Sequence, residues 1–276
     1  MPVALDALVL PAFDDLAGLP SEAAAWHDQY DLDTAVTVTG VPADLYHDGH
    51  VGVVPTGVGK QAAATTVTAL LSSPELALGD ALVCSVGVAG GPPAVPVGSV
   101  VVADTVLDWD DKLRFDDELA LNPYTGDRGV FDLDPELVAR ARDAATDVEL
   151  LAATEDDTGD RSGGDPAVYG GVNLCGDELW HGETTADEVG WLRSERGVGP
   201  YRATEMEDAG TAAALARFDR LDRYLTVRGI SNHDRPVDGR EPRESFFDPA
   251  FEAGFDIAAE NAVRVARAAL ETCCDG

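Results

Sequence analysis

Three acids fall within four positions at Glu205-Met206-Glu207-Asp208, just ahead of an alanine-rich stretch. A carboxylate there can hold a pair of vicinal hydroxyls with Met206 as an apolar floor, although acids at that place also suit the positive end of a helix dipole. Ser231-Asn232-His233-Asp234 follows directly on the apolar run 224–230. Polar groups at a strand's end are where α/β sheets read ligands, and an Asn in the same place can instead cap a turn. Thr56-Gly57-Val58-Gly59-Lys60 sits between a strand pattern and a helix pattern. It either presents backbone N–H groups to an anion or makes a tight strand-to-helix turn. It lacks the glycine spacing and the Ser/Thr of a P-loop. Gly87-Val88-Ala89-Gly90-Gly91 is either a place where a ligand meets bare backbone or a plain bend. Leu179-Trp180-His181, just after Cys175-Gly176-Asp177, offers an aromatic plane beside an imidazole, or simply a core tryptophan.

These pieces need a scaffold, and the apolar patterning supplies one. Residues 7–10, 51–55, 82–88, 100–106 and 225–230 read as buried strands, and 61–71, 135–145, 209–218 and 251–270 carry helical periodicity. Strands alternating with helices predict an α/β fold, a single domain over 1–276 with a central sheet flanked by helices. No helix fits between 82–88 and 100–106, so these two strands are expected to run antiparallel or bend, which makes the sheet mixed. Residues 108–134 and 153–168, rich in Asp and Gly, read as long surface loops.

Composition excludes whole classes of function. The chain has 276 residues with 51 acids against 19 bases, a formal charge of −32. Such a surface repels nucleic acid and anionic lipid alike. Hydrophobic residues at 45% nonetheless exclude disorder. Lys60 and Lys112 are the only lysines. Scattered acids with few lysines point to a surface tuned to molar salt, the setting of a halophile. No apolar run has the length of a membrane span, and the start MPVALDALVLP lacks a basic n-region. Cys84, Cys175, Cys273 and Cys274 show no metal-ligand spacing and read as reduced thiols. A cytoplasmic location is expected.

Taken together, the order and spacing of the motifs resemble the nucleoside phosphorylase and nucleosidase superfamily. The more distinctive strings, Trp180-His181-Gly182, Thr204 to Thr211 (TEMEDAGT) and Ser231-Asn232-x-Asp234, are similar to the branch called purine nucleoside permease. The resemblance runs from about Leu8 to Leu270. It implies that Glu207 binds the ribose 2′- and 3′-hydroxyls, that Met206 packs on the sugar, and that Glu205 is a further site carboxylate. It places the base against Leu179, Trp180, His181, Ala89, Gly90 and Asn232. Many relatives carry an Asp at the position of Asn232 that protonates the purine N7. An Asn can donate but not protonate, which favours guanosine and inosine and leaves Asp234 to replace the missing acid.

Phosphorolytic relatives hold phosphate through an Arg and a Ser or Thr where this chain has Ser85 and Val88. The anion would then fall to backbone N–H groups near Gly57, Val88 and Gly90, to Ser85, or to Lys60 or an Arg placed from elsewhere. The leading expectation is a purine nucleoside phosphorylase with inorganic phosphate as co-substrate and no other cofactor or metal. Hydrolysis, with Asp14 or Asp15 positioning water, and a non-catalytic nucleoside-binding protein linked to transport are the alternatives. Relatives are dimers or hexamers built from dimers, so a homo-oligomer is implied. The charge carries its own test: the melting temperature should fall as salt is lowered from molar to millimolar, because unscreened carboxylates repel. An unchanged Tm would overturn the halophile reading.

Overall fold

Leu82–Gly91, a run of apolar and small residues, and Tyr224–His233, apolar apart from Arg228 and its polar end, are buried along almost their whole length, which suits strands covered on both faces. They pair in parallel at the centre of the sheet. The computed structural model describes residues 1–274 except 15, 17, 153–163 and 249. We label the strands that matter here Ala7–Leu10 (β1), Val51–Val53 (β2), Leu82–Gly91 (β3), Val100–Val102 (β4), Thr105–Asp108 (β5), Val172–Cys175 (β6), Tyr201–Glu205 (β7) and Tyr224–His233 (β8). The main helices are Lys60–Ser72 (α1), Pro135–Ala144 (α2), Glu183–Glu195 (α3), Asp208–Arg217 (α4) and Ala250–Cys273 (α5).

The fold is the expected α/β domain with a mixed sheet, in which β1, β2, β3 and β8 are parallel and β4 and β7 join antiparallel. β3 and β4 do run in opposite directions, but they are not neighbours: β8 lies between them and pairs with both. The 100–106 run is two strands, because the chain turns at Ala103-Asp104 and β5 continues along β6 on a different part of the sheet. At the top of β8 the register with β3 slips between Ile230 and Asn232. That bulge re-aims Asn232 just where the strand ends.

Residues 108–134 are not the loop that their polarity suggests. Lys112–Phe115 and Glu118–Leu121 form a hairpin closed by Asp116-Asp117, with Asp116 at φ 51°, and Val130–Asp132 pairs with β5. The turn escapes notice because Asp-Asp replaces the usual Asn-Gly or Asp-Gly. Of 153–168, residues 153–163 lie outside the described residues, while Val168–Tyr169 pairs with β4. Helix α3 was also hidden, since Gly190 and two threonines dilute a pattern that buries only Ala186, Val189 and Leu192.

Helix α5 covers β8 and β3 so closely that a Cβ on Gly229 would lie 2.0 Å from the Ala258 carbonyl oxygen. Backbone cannot yield as a side chain does. Gly229→Ala should therefore cost about 1–3 kcal/mol. A thermal melt showing wild-type stability would mean that α5 stands further off the sheet.

Candidate active site

The glycines of the 56–60 turn are required by conformation, with φ at 86° for Gly57 and 92° for Gly59. This geometry aims the N-terminus of α1 at carboxylates of the protein itself. Gly59 N–H donates to Glu207 Oε1 at 3.0 Å and Lys60 N–H to Asp177 Oδ1 at 2.8 Å. Gly57 N–H is committed to the Ala12 carbonyl. The Lys60 ammonium lies between Asp108 and Asp110 at 2.7 and 2.8 Å. The expected anion cradle is thus occupied by fixed acids, and Lys60 is not free to hold phosphate.

Glu205, Glu207 and Asp208 are all buried where β7 passes into α4. Glu205 Oε2 accepts the N–H groups of Glu207 and Asp208 at 2.7 and 2.9 Å, so this carboxylate shapes the turn as well as lining the cavity. Asn173 bridges Glu205 and Asp208. The balancing cation is Arg228, in the middle of β8. It bonds Asp208 through two of its nitrogens, reaches Glu205 at 3.1 Å and Ser85 Oγ at 2.9 Å, and comes within 3.7 Å of Glu207. Its Nη1 has no hydrogen-bond partner. Burial would raise Asp208, yet Arg228 and the hydroxyls of Ser85 and Thr226 hold it below the ordinary carboxylate range. Burial raises Glu205 and Glu207, against the pull of the same arginine.

A fourth acid, Glu22, meets this cluster from the segment after β1. Its two oxygens accept Ala12 N–H at 2.7 Å and Val88 N–H at 2.8 Å. A Cβ on Gly87 would lie 2.5 Å from Glu22 Oε1, so only glycine lets the carboxylate approach β3. Burial, opposed by Arg228 and reinforced by Glu207, pushes its pKa up to about 7. Asp14 is elsewhere, exposed and bonded to Ser21, and Asp15 lies outside the described residues. Neither Glu22 nor Arg228 was singled out in the sequence. Glu22 stands in no motif, but Arg228 did leave a signal as the one charge inside the run 224–230.

Glu22, Glu205 and Glu207 line a cavity of about 720 Å³ with Val88, Ala89, Gly90, Leu179, Trp180, Met206, Asn232 and Asp234. Trp180 is largely core, edge-on to Trp109 at 6.2 Å, with only part of its surface on the cavity. Leu179 is exposed at the rim. His181 does not line this cavity; it packs edge-to-face against Phe246 at 5.7 Å beside a small adjoining one. Asn232 is locked, its Nδ2 donating to the His233 carbonyl at 2.8 Å and its Oδ1 accepting from Ser231 at 2.9 Å. One amide N–H remains for a ligand. Asp234 is not the free acid that the sequence suggested, since Tyr201 and Arg235 each occupy one of its oxygens at 2.7 Å. Among the described residues no cluster of His, Cys, Asp or Glu is arranged to hold a metal ion, and no helix is long and apolar enough to cross a membrane.

Solved structures share this fold. Futalosine hydrolase of Helicobacter pylori superposes with a TM-score of 0.69 at 18% identity, covering 97% of both chains. The 5′-methylthioadenosine/S-adenosylhomocysteine nucleosidase of Neisseria meningitidis, in complex with methylthio-immucillin-A, gives 0.68 at 18% identity over 98% of this chain and 99% of that one. The nucleosidase of Colwellia psychrerythraea, in complex with adenine, gives 0.66 at 22% identity over 99% and 96%. A curated relative from Candida albicans, described as a purine nucleoside permease, is 25% identical over 86% of this chain and 68% of its own length. The family model described as purine nucleoside permease matches residues 5–275, and the chain belongs to that family.

Proposed function

We propose that this protein cleaves the N-glycosidic bond of purine ribonucleosides by hydrolysis. The observation that carries the reading is Glu22: its carboxylate takes the Val88 and Ala12 N–H groups beside Ser85, where a phosphate was expected, and it lies against Arg228 and Glu207. A fixed carboxylate repels phosphate but accepts a proton from water. Arg228 Nη1, behind the cavity lining and without a hydrogen-bond partner, lies 3.7 Å from Glu207 Oε2, and its charge favours the ionised form of that carboxylate. The solved hydrolase and nucleosidases of this fold support the choice of water over phosphate.

In this reading Glu207 Oε2 accepts from the ribose hydroxyls while Gly59 N–H fixes Oε1. The C1′–N9 bond breaks with its electron pair leaving on the purine, and positive charge grows on the sugar. Glu207 interacts more strongly as that happens, which is catalysis by differential binding. The remaining N–H of Asn232 donates to the purine as negative charge builds on it. Water adds to C1′ and gives its proton to Glu22. The net products are free purine and ribose, the purine regaining its proton through solvent. Because Asn232 cannot protonate adenine N7, inosine and guanosine are the preferred substrates.

The pH dependence follows from Glu22. Below about 7 its carboxyl is protonated and cannot accept, so kcat/KM should fall roughly tenfold per pH unit on the acid side. Glu22→Gln should lose about 10²- to 10⁴-fold and flatten that limb. Base release from inosine in molar salt should be independent of added phosphate and yield ribose; strict phosphate dependence with ribose 1-phosphate as product would establish phosphorolysis instead. Glu207→Ala should lower kcat/KM by about 10²- to 10³-fold, and wild-type activity in that variant would sink the ribose assignment.

A further inference from the structure

Lys60 stands in a closed ring of bonds beside the peptide that holds Glu207. Its ammonium donates to Asp108 Oδ1 at 2.7 Å and to Asp110 Oδ2 at 2.8 Å. The same Asp110 oxygen accepts the backbone N–H of Asp177 at 2.7 Å. Asp177 Oδ1 then accepts the backbone N–H of Lys60 at 2.8 Å, which completes the circuit. Three segments distant in sequence meet there: the start of α1, the turn that follows β5, and residues 176–182.

Each segment carries or backs part of the cavity wall. Gly59, the residue before Lys60, fixes Glu207. Residues 176–182 bring Leu179 and Trp180 to the cavity wall. The turn after β5 carries Trp109, which packs edge-on against Trp180. Gly210 locks the start of α4 onto α1, since a Cβ there would lie 2.2 Å from the Lys60 carbonyl oxygen. The Lys60 side chain is 16% exposed, Asp108 and Asp110 23% and 31%, and Asp177 is exposed, so solvent weakens the ring most at Asp177. Without the ammonium, Asp108, Asp110 and Asp177 would face one another uncompensated, and the ring would open by repulsion.

We propose that Lys60 is a positioning residue that sets the base-side wall, Leu179 and Trp180, relative to the ribose carboxylate Glu207. It touches no substrate itself. The inference rests on the nucleoside-cleavage reading for its kinetic consequence, while its structural half stands independently.

The test compares Lys60→Met, Lys60→Arg and Asp177→Asn in the full-length protein in molar salt. Hydrogen exchange of the ligand-free protein comes first. Lys60→Met should speed exchange several-fold in peptides covering 108–112 and 176–182 while leaving 82–91 unchanged, and Lys60→Arg should stay near wild type. Kinetics with inosine come second. Lys60→Met should lower kcat/KM by roughly 10- to 100-fold, mostly through KM, because a displaced wall costs binding before chemistry. Asp177→Asn should follow it in direction, and Lys60→Arg should restore most of the loss. Unchanged exchange in the two peptides overturns the proposal. Exchange accelerated throughout the chain with a lowered Tm also overturns it, since Lys60 would then be a general stabiliser. Local acceleration with wild-type kinetic constants does so as well. If the wild-type protein cleaves no nucleoside, the hydrolase reading falls alone, and calorimetric inosine binding takes the place of the kinetics: weakened binding in Lys60→Met supports the proposal and undiminished binding overturns it.

Discussion

One guanidinium in the middle of the central sheet decides what the rest of the site can be. Arg228 is buried between Asp208, Glu205 and Glu207, three acids served by a single cation. Buried charges persist only when paired and hydrogen-bonded, and removing one partner leaves the others uncompensated. The sheet order, the short turn from β7 into α4 and the glycines of the turn before α1 all serve to bring acids from separate segments to this arginine. Asp208 takes most of its charge, through bonds that Asn173 and Thr226 complete. Glu207 receives only what is left, at 3.7 Å, and keeps an oxygen free for a ligand.

The same economy explains why the glycine turn is not an anion site. A helix N-terminus offers N–H groups and a partial positive charge to any acid within reach. In this fold Glu207 and Asp177 reach it first. An interaction that in other settings binds a ligand's phosphate here fixes the direction of a side chain. The turn therefore contributes to the site through orientation.

Much of this was legible in the sequence because it is local. The strand-end motifs and the acidic turn at 205–208 stand on the elements that their flanking patterns imply, and α1, α4 and α5 begin and end within a few residues of expectation. What was not legible depends on contacts between distant segments. Lys60 reads as an anion ligand until Asp108 and Asp110, some fifty residues on, are seen to enclose it. Asp234 reads as a free acid until Tyr201 and Arg235 are seen on its oxygens. Glu22 has no motif at all; its role comes from the absence of a side chain at Gly87, which is visible only once β3 and the segment after β1 are packed together. Arg228 was readable in principle, because a lone charge in a strand covered on both faces must have buried partners.

If the protein cleaves nucleosides as proposed, the electrostatics of the cavity join the choice of co-substrate to the chemistry of the sugar. Among the described residues, those lining the cavity include Glu22, Glu178, Glu205, Glu207, Asp234, Asp248 and Glu252, and no lysine or arginine. Molar salt screens the distant surface charge within a few ångströms, but it acts weakly on buried groups such as Glu22 and Glu207. An incoming phosphate would have to give up water and approach these acids without a lining cation. A neutral water meets no such barrier. The field that opposes the anion also favours the cation that forms as the glycosidic bond breaks, because carboxylates already in place need no reorganisation when positive charge develops on the sugar. On the hydrolytic reading proposed above, excluding phosphate and stabilising the oxocarbenium-like sugar are two effects of one arrangement of charge, which Arg228 holds together from beneath Glu205, Glu207 and Asp208.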